Sequence, residues 1–194
     1  MKRGISSVRI ILILAGMAGV TWLPAARAVN FNMTCTVASS TLTLNAFDPL
    51  SYATSPTPVT TPTGSITVSC TSTNNSSAVT VNYTLTLNTT PTRQLANGAN
   101  HLTYDIYTDS GTTVQWGTVG TCDPVKQPNV NLGNVICGSF SVPAKSNATQ
   151  TKNYYAKVPT SGSTDVPVGT YSQNNIAVTL TYSCNPAPTG GGTC

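Results

Sequence analysis

The strictest constraint on this chain's fold is an alternation of apolar and polar residues with a period of two, repeated along most of its length. Val79, Val81, Tyr83, Leu85 and Leu87 give the cleanest run, in which every second residue is apolar. A helix cannot bury such a set on one face, whereas a pleated strand places all of it on one side. Leu42, Leu44 and Ala46 alternate in the same way, as do Ile66, Val68 and Cys70, then Leu102, Tyr104 and Ile106. Phe140 with Val142, Tyr154 with Ala156 and Val158, and Ile176, Val178, Leu180 and Tyr182 complete the series. Each run reads as a half-buried antiparallel strand. Asn74-Asn75, Asn97-Gly98, Asp109-Ser110-Gly111, Pro159 to Gly162 and Pro167 to Gly169 supply the turns between them. About seven strands with one face each to bury need a second sheet to cover them, which predicts an all-β sandwich. Thr54 to Gly64, carrying Pro56, Pro58 and Pro62, reads as a surface loop or edge, and Gly117 to Gly133 as a long loop tethered by Cys122.

The first 28 residues stand apart. Lys2, Arg3 and Arg9 precede an apolar run from Ile10 to Leu23, and Ala26-Arg27-Ala28 follows as a small-x-small site. This predicts a secretory signal peptide, too short to span a bilayer, cut between Ala28 and Val29. Residues 29–184 then form one domain and 185–194 a Pro/Gly-rich tail. The formal charge of +4 falls away with the signal. What remains sets Arg93, Lys126, Lys145, Lys152 and Lys157 against Asp48, Asp105, Asp109, Asp123 and Asp165. Such a balance offers no basic surface for nucleic acid or anionic lipid, and no membrane insertion of the mature chain is expected.

All 6 cysteines, Cys35, Cys70, Cys122, Cys137, Cys184 and Cys194, lie beyond the signal, and in an oxidising compartment an even set reads as disulfides. Many pairings are possible. Proximity suggests Cys122 with Cys137 and Cys184 with Cys194, leaving Cys35 with Cys70, and closing a loop of about 15 residues is worth roughly 3 kcal/mol. With no CxxC pair and His101 the sole histidine, neither a metal site nor a cofactor is expected. His101 follows a turn and reads as solvated. Asp105 and Asp109 read as a strand face and a turn rather than paired catalytic carboxylates, and no serine sits in a GxSxG elbow. The Asn-x-Ser/Thr sequons at Asn32, Asn82, Asn88 and Asn147 are expected by chance in so Thr-rich a chain. An enzyme is not the expected function.

An ordered set of short patterns carries a family resemblance. Cys35-Thr36-Val37 leads to Asp48-Pro49-Leu50, and later come Tyr83-x-Leu85-x-Leu87, Arg93, Leu102-x-Tyr104-x-Ile106-Tyr107-x-Asp109 and Trp116-Gly117. Val142-Pro143-Ala144, Tyr154 to Pro159, Pro167-x-Gly169-x-Tyr171 and Ile176 to Tyr182 continue the order. From about Cys35 to Tyr182 the chain resembles spore coat protein U domains, including the secreted subunits of Csu-type archaic chaperone–usher pili. That resemblance implies an immunoglobulin-like sandwich lacking its last strand, with an open apolar groove. A periplasmic chaperone would fill the groove first, and a neighbouring pilus subunit would replace it at the outer-membrane usher. Val37, Leu42 and Leu44 are expected on one wall, and Ile176, Val178, Leu180 and Tyr182 on the other. A Cys35–Cys70 bridge also fits the family. Only Val29 to Thr34 precede Cys35, about 20 Å when extended. The subunit is therefore expected to accept a strand better than it donates one, as at a fibre end, in transit through the periplasm to the cell surface. The alternative is a self-contained secreted coat or carbohydrate-binding domain, with Trp116, Tyr107 and Tyr52 as a sugar-stacking surface.

Overall fold

Alternation becomes pleat in the computed structural model, which describes residues 30–54, 63–88, 93–122, 131–132, 134–159, 165–174 and 176–194. The strands among them are β1 (Met33–Ser39), β2 (Leu42–Phe47), β3 (Thr63–Ser72), β4 (Val79–Leu87), β5 (Gln94–Asn97), β6 (Asn100–Thr103) and β7 (Asp105–Tyr107). They continue with β8 (Thr121–Cys122), β9 (Asn131–Leu132), β10 (Ile136–Val142), β11 (Asn147–Lys157), β12 (Gly169–Gln173) and β13 (Val178–Asn185). The nine-residue run read from the sequence is β4 itself, and its side chains alternate between buried and half-buried without a break.

These strands form an all-β sandwich of antiparallel sheets. One layer has the order β1-β3-β11-β7 and the other β10-β4-β13. Ile66, Val68 and Cys70 from β3 and Val79, Val81, Tyr83 and Leu85 from β4 belong to one buried core. The layers are also tied by polar contacts. Tyr83 donates its hydroxyl to Gln150 Oε1 at 2.6 Å, and Trp116 donates Nε1–H to the Leu85 carbonyl at 3.0 Å. Burial pushes the Tyr83 phenol up to about 12, so it stays a donor. A third sheet, β2-β12-β5-β6, carries Leu42, Leu44, Leu95, Leu102 and Tyr171 into the same core.

Three disulfides join Cys35 to Cys70, Cys122 to Cys137 and Cys184 to Cys194. Cys35 and Cys70 face each other across the β1–β3 ladder with Cα atoms 4.1 Å apart. The segment from Gly117 to Gly133 is not wholly a loop, because β8 and β9 pair within it. Asp48-Pro49-Leu50 opens a short helix, α1 (Pro49–Thr54). Asp48 Oδ1 accepts the Leu50 N–H at 3.0 Å and Oδ2 accepts the Ser51 hydroxyl at 2.8 Å, an N-cap followed by proline at the first helical position. Residues 1–29, with the expected cleavage at Ala28 and Val29, lie outside the described residues, as does the Pro56–Pro62 segment.

Candidate functional site

Both walls of the candidate site are edge strands. β1 ends one sheet and β13 ends the other, and among the described residues neither outer edge is paired with another strand. The two lie side by side in opposite directions. At one end Ser39 Oγ donates to the Ile176 carbonyl at 3.3 Å, and at the other the Tyr182 hydroxyl donates to the Met33 carbonyl at 3.3 Å. Between them is a cleft of about 290 Å³ lined by Val37, Ala38, Ser39, Ile176 and Val178.

Ladder geometry fixes which backbone groups face this cleft. In an antiparallel pair, hydrogen-bonded and non-hydrogen-bonded residues alternate. Met33 turns its N–H away from β3, to the Thr193 carbonyl at 2.9 Å, so Cys35, Val37 and Ser39 turn theirs the same way. The 4.1 Å Cα separation of Cys35 and Cys70 is the close spacing of a non-hydrogen-bonded pair. On β13, Ala177 accepts the N–H of Asn88 at 3.0 Å, one step beyond the Val178–Leu87 pair. Thr179, Thr181 and Ser183 therefore face β4, and Val178, Leu180 and Tyr182 turn N–H and C=O away from it, with Val178 lining the cleft. Cys35, Val37, Val178, Leu180 and Tyr182 are also half-buried, packed against the core with part of each side chain still in contact with water. The two edges thus carry backbone groups turned away from their own sheets, and the cleft between them is lined by Val37, Ala38, Ile176 and Val178 together with Ser39. In strand addition generally, an incoming extended segment supplies main-chain hydrogen bonds to an exposed edge and alternate side chains to pockets beside it.

Five of the seven residues expected on the groove walls, Val37, Ile176, Val178, Leu180 and Tyr182, lie along these two edges. Leu42 and Leu44 do not. The chain breaks at Ser40-Thr41, and β2 crosses to pair with β12, setting Leu44 opposite Tyr171. Both leucines are thereby buried in the core, at 0% and 3% exposure, and have no access to the cleft. Period-two patterning marks which face of β2 is buried but not which sheet it joins.

The sugar-stacking surface loses its centre, because Trp116 is 1% exposed, packs against the Tyr154 ring at 5.9 Å and spends its N–H on Leu85. Tyr107 is half-buried on β7, and the side chain of Tyr52 is not among those described. His101 is exposed on β6. Slight desolvation pushes the Asp109 carboxyl up, but the N–H groups of Val114 and Thr113 and the Thr113 hydroxyl outweigh it and hold the pKa below the ordinary value. Those bonds, Val114 N–H at 2.7 Å among them, make Asp109 a turn brace. Among the described residues no group of three His, Cys, Asp or Glu is placed to hold a metal ion, and no helix is long and apolar enough to cross a membrane.

Sequence reading missed the tail. Thr193 forms a parallel bridge with Asn32 at the Met33 end of the cleft, and Gly192 lies so close to the Phe31 backbone that a Cβ there would collide with it. Three consecutive glycines ahead of Cys194 were the available signal of such an approach.

Compared with known proteins, the chain matches the Spore Coat Protein U domain family over residues 23–181. No curated protein matches it.

Proposed function

The chain belongs to the Spore Coat Protein U domain family, and from that premise we propose that it is a secreted, non-enzymatic subunit of a surface pilus or coat, assembled by donor-strand complementation. The family is one of structural surface proteins of the pilus and coat type. In this reading the signal peptide delivers the chain to the periplasm, where a chaperone lends a strand to the cleft between β1 and β13. At the outer-membrane usher a strand from a neighbouring subunit replaces it, and the subunit reaches the cell surface. The observation that carries the reading is the pair of unpaired edges, with Cys35, Val37 and Ser39 on one and Val178, Leu180 and Tyr182 on the other. A long apolar edge open to water is an aggregation hazard in a free protein, which is the physical reason for a chaperone to cover it.

The test is to express the chain with its signal peptide, with and without the cognate periplasmic chaperone, and to size the periplasmic product. Degradation of the chain alone, with recovery as a one-to-one complex when the chaperone is present, is the expected result. A stable, disulfide-bonded monomer recovered alone would instead assign it to the self-contained coat domains. The burial of Trp116 removes the main support for a carbohydrate-binding version of that alternative.

A further inference from the structure

Donating a strand requires a segment that can leave its own domain with its alternate apolar side chains free. At the start of β1 the alternating residues are Phe31, just ahead of the strand, and Met33, its first residue, and both are 2% exposed in the domain's own core. The tail straps them there. Thr193 accepts the Met33 N–H at 2.9 Å, and its own N–H and hydroxyl both donate to Asn32 Oδ1 at 3.2 Å. Asn30 Nδ2 donates to the Gly190 carbonyl at 3.2 Å, and the bond from Cys194 to Cys184 anchors the whole loop to β13. On its other side Asn32 exchanges bonds with Thr73, giving its carbonyl to the Thr73 N–H at 3.0 Å and its N–H to the Thr73 Oγ1 at 2.8 Å.

We propose that the disulfide-closed C-terminal loop is a clasp that holds residues 30–33 on their own domain, so that the subunit takes a strand from one neighbour and gives none through this segment. This deepens the strand-acceptor reading and rests on it for the word neighbour. The clasp also occupies the first rung of the open β1 edge, at Met33, so pairing by an incoming strand starts beyond that residue. A subunit held in this way donates no strand through residues 30–33 while the loop stays closed.

The test is residue-resolved amide hydrogen exchange on the oxidised mature chain and on C184S/C194S. The Met33 amide is expected to exchange roughly a hundredfold faster in the variant, the factor that closing a loop with a sequence separation of 10 contributes on the chain-entropy model. Asn32→Ala keeps the disulfide and serves if the double variant does not fold. It should accelerate Met33 severalfold while leaving Val68 and Leu85 unchanged. Unchanged Met33 exchange in the folded variants would overturn the clasp. So would chains of wild-type copies, seen by sizing, in which residues 30–33 are protected by a neighbour. Strand acceptance is read separately, from protection of Val37 and Leu180 on adding the chaperone. Loss of that signal with Met33 behaving as expected would sink the acceptor reading and leave the clasp standing.

Discussion

If a strand is received along β13 as proposed, Leu180→Asp separates folding from strand acceptance, because Leu180 is half-buried in the free protein and would be covered by the incoming strand. In the free domain the side chain is half-buried at the edge of β13, so a carboxylate there stays partly hydrated. The substitution should cost the fold about 1 kcal/mol in lost apolar contact. Covering the cleft changes the balance. The remaining apolar area of Leu180 contributes about 1 kcal/mol to strand binding, and stripping water from an unpaired carboxylate costs at least about 3 kcal/mol more. Together these weaken strand binding by about 4 kcal/mol, or roughly a thousandfold. Leu180→Thr removes the apolar contact without adding charge and, at about 1 kcal/mol, should cost about fivefold. The assay is the far-ultraviolet spectrum and urea midpoint of each variant, followed by titration with the purified chaperone. A folded Leu180→Asp protein that binds chaperone as the wild type does would refute the placement of the strand against β13.

Other predictions concern what holds the walls in place. Gly138 lies under the Tyr83 ring, where a Cβ would collide with it, so Gly138→Ala should cost about 3 kcal/mol of overpacking and lost hydrogen bonding. In a Tyr83→Ala background the same change should cost less than about 1 kcal/mol, which urea unfolding of the double-mutant cycle would report. Removing the Cys122–Cys137 bridge as C122S/C137S should cost about 3 kcal/mol for a sequence separation of 15, read from the same denaturation curves. The Ser51 hydroxyl and backbone N–H bonds hold Asp48 below its ordinary value of 3.8 against a weaker upward push from desolvation. A lowered folded pKa means that the stabilisation is present above 3.8 and is lost as pH falls through the folded value. The Leu50 and Ser51 amide resonances should therefore shift together with the Asp48 carboxyl in an acid titration, and Asp48→Asn should abolish the coupled shift.

Strand content was legible because a period of two can be met only by a pleated backbone, and β4 follows the Val79–Leu87 run without a residue's difference. Sheet membership was less legible. Leu42 and Leu44 alternate as cleanly as Val37 would require, yet a two-residue break at Ser40-Thr41 sends them to a different sheet, and nothing in periodicity encodes that turn. The β13 wall was easier to anticipate, since Val178, Leu180 and Tyr182 continue one uninterrupted alternation. Trp116 was ambiguous for another reason: a lone tryptophan suits a core as well as a sugar platform, and only the Leu85 carbonyl within reach of its N–H decides. The tail stayed hidden because its contacts with Asn30, Asn32 and Met33 span most of the chain and involve backbone groups that side-chain patterning does not display.

The central claim is that the facing edges of β1 and β13 receive a strand, and amide hydrogen exchange at those edges tests it most directly. The amides of Cys35, Val37, Leu180 and Tyr182 should exchange quickly in the free domain, since they turn away from the strand that each edge pairs with. On binding the chaperone all four should become protected together, with the sheet-paired amides of Thr36 and Thr181 already slow in both states. A stable complex in which these four amides still exchange as in the free domain, with protection appearing elsewhere, would contradict the account.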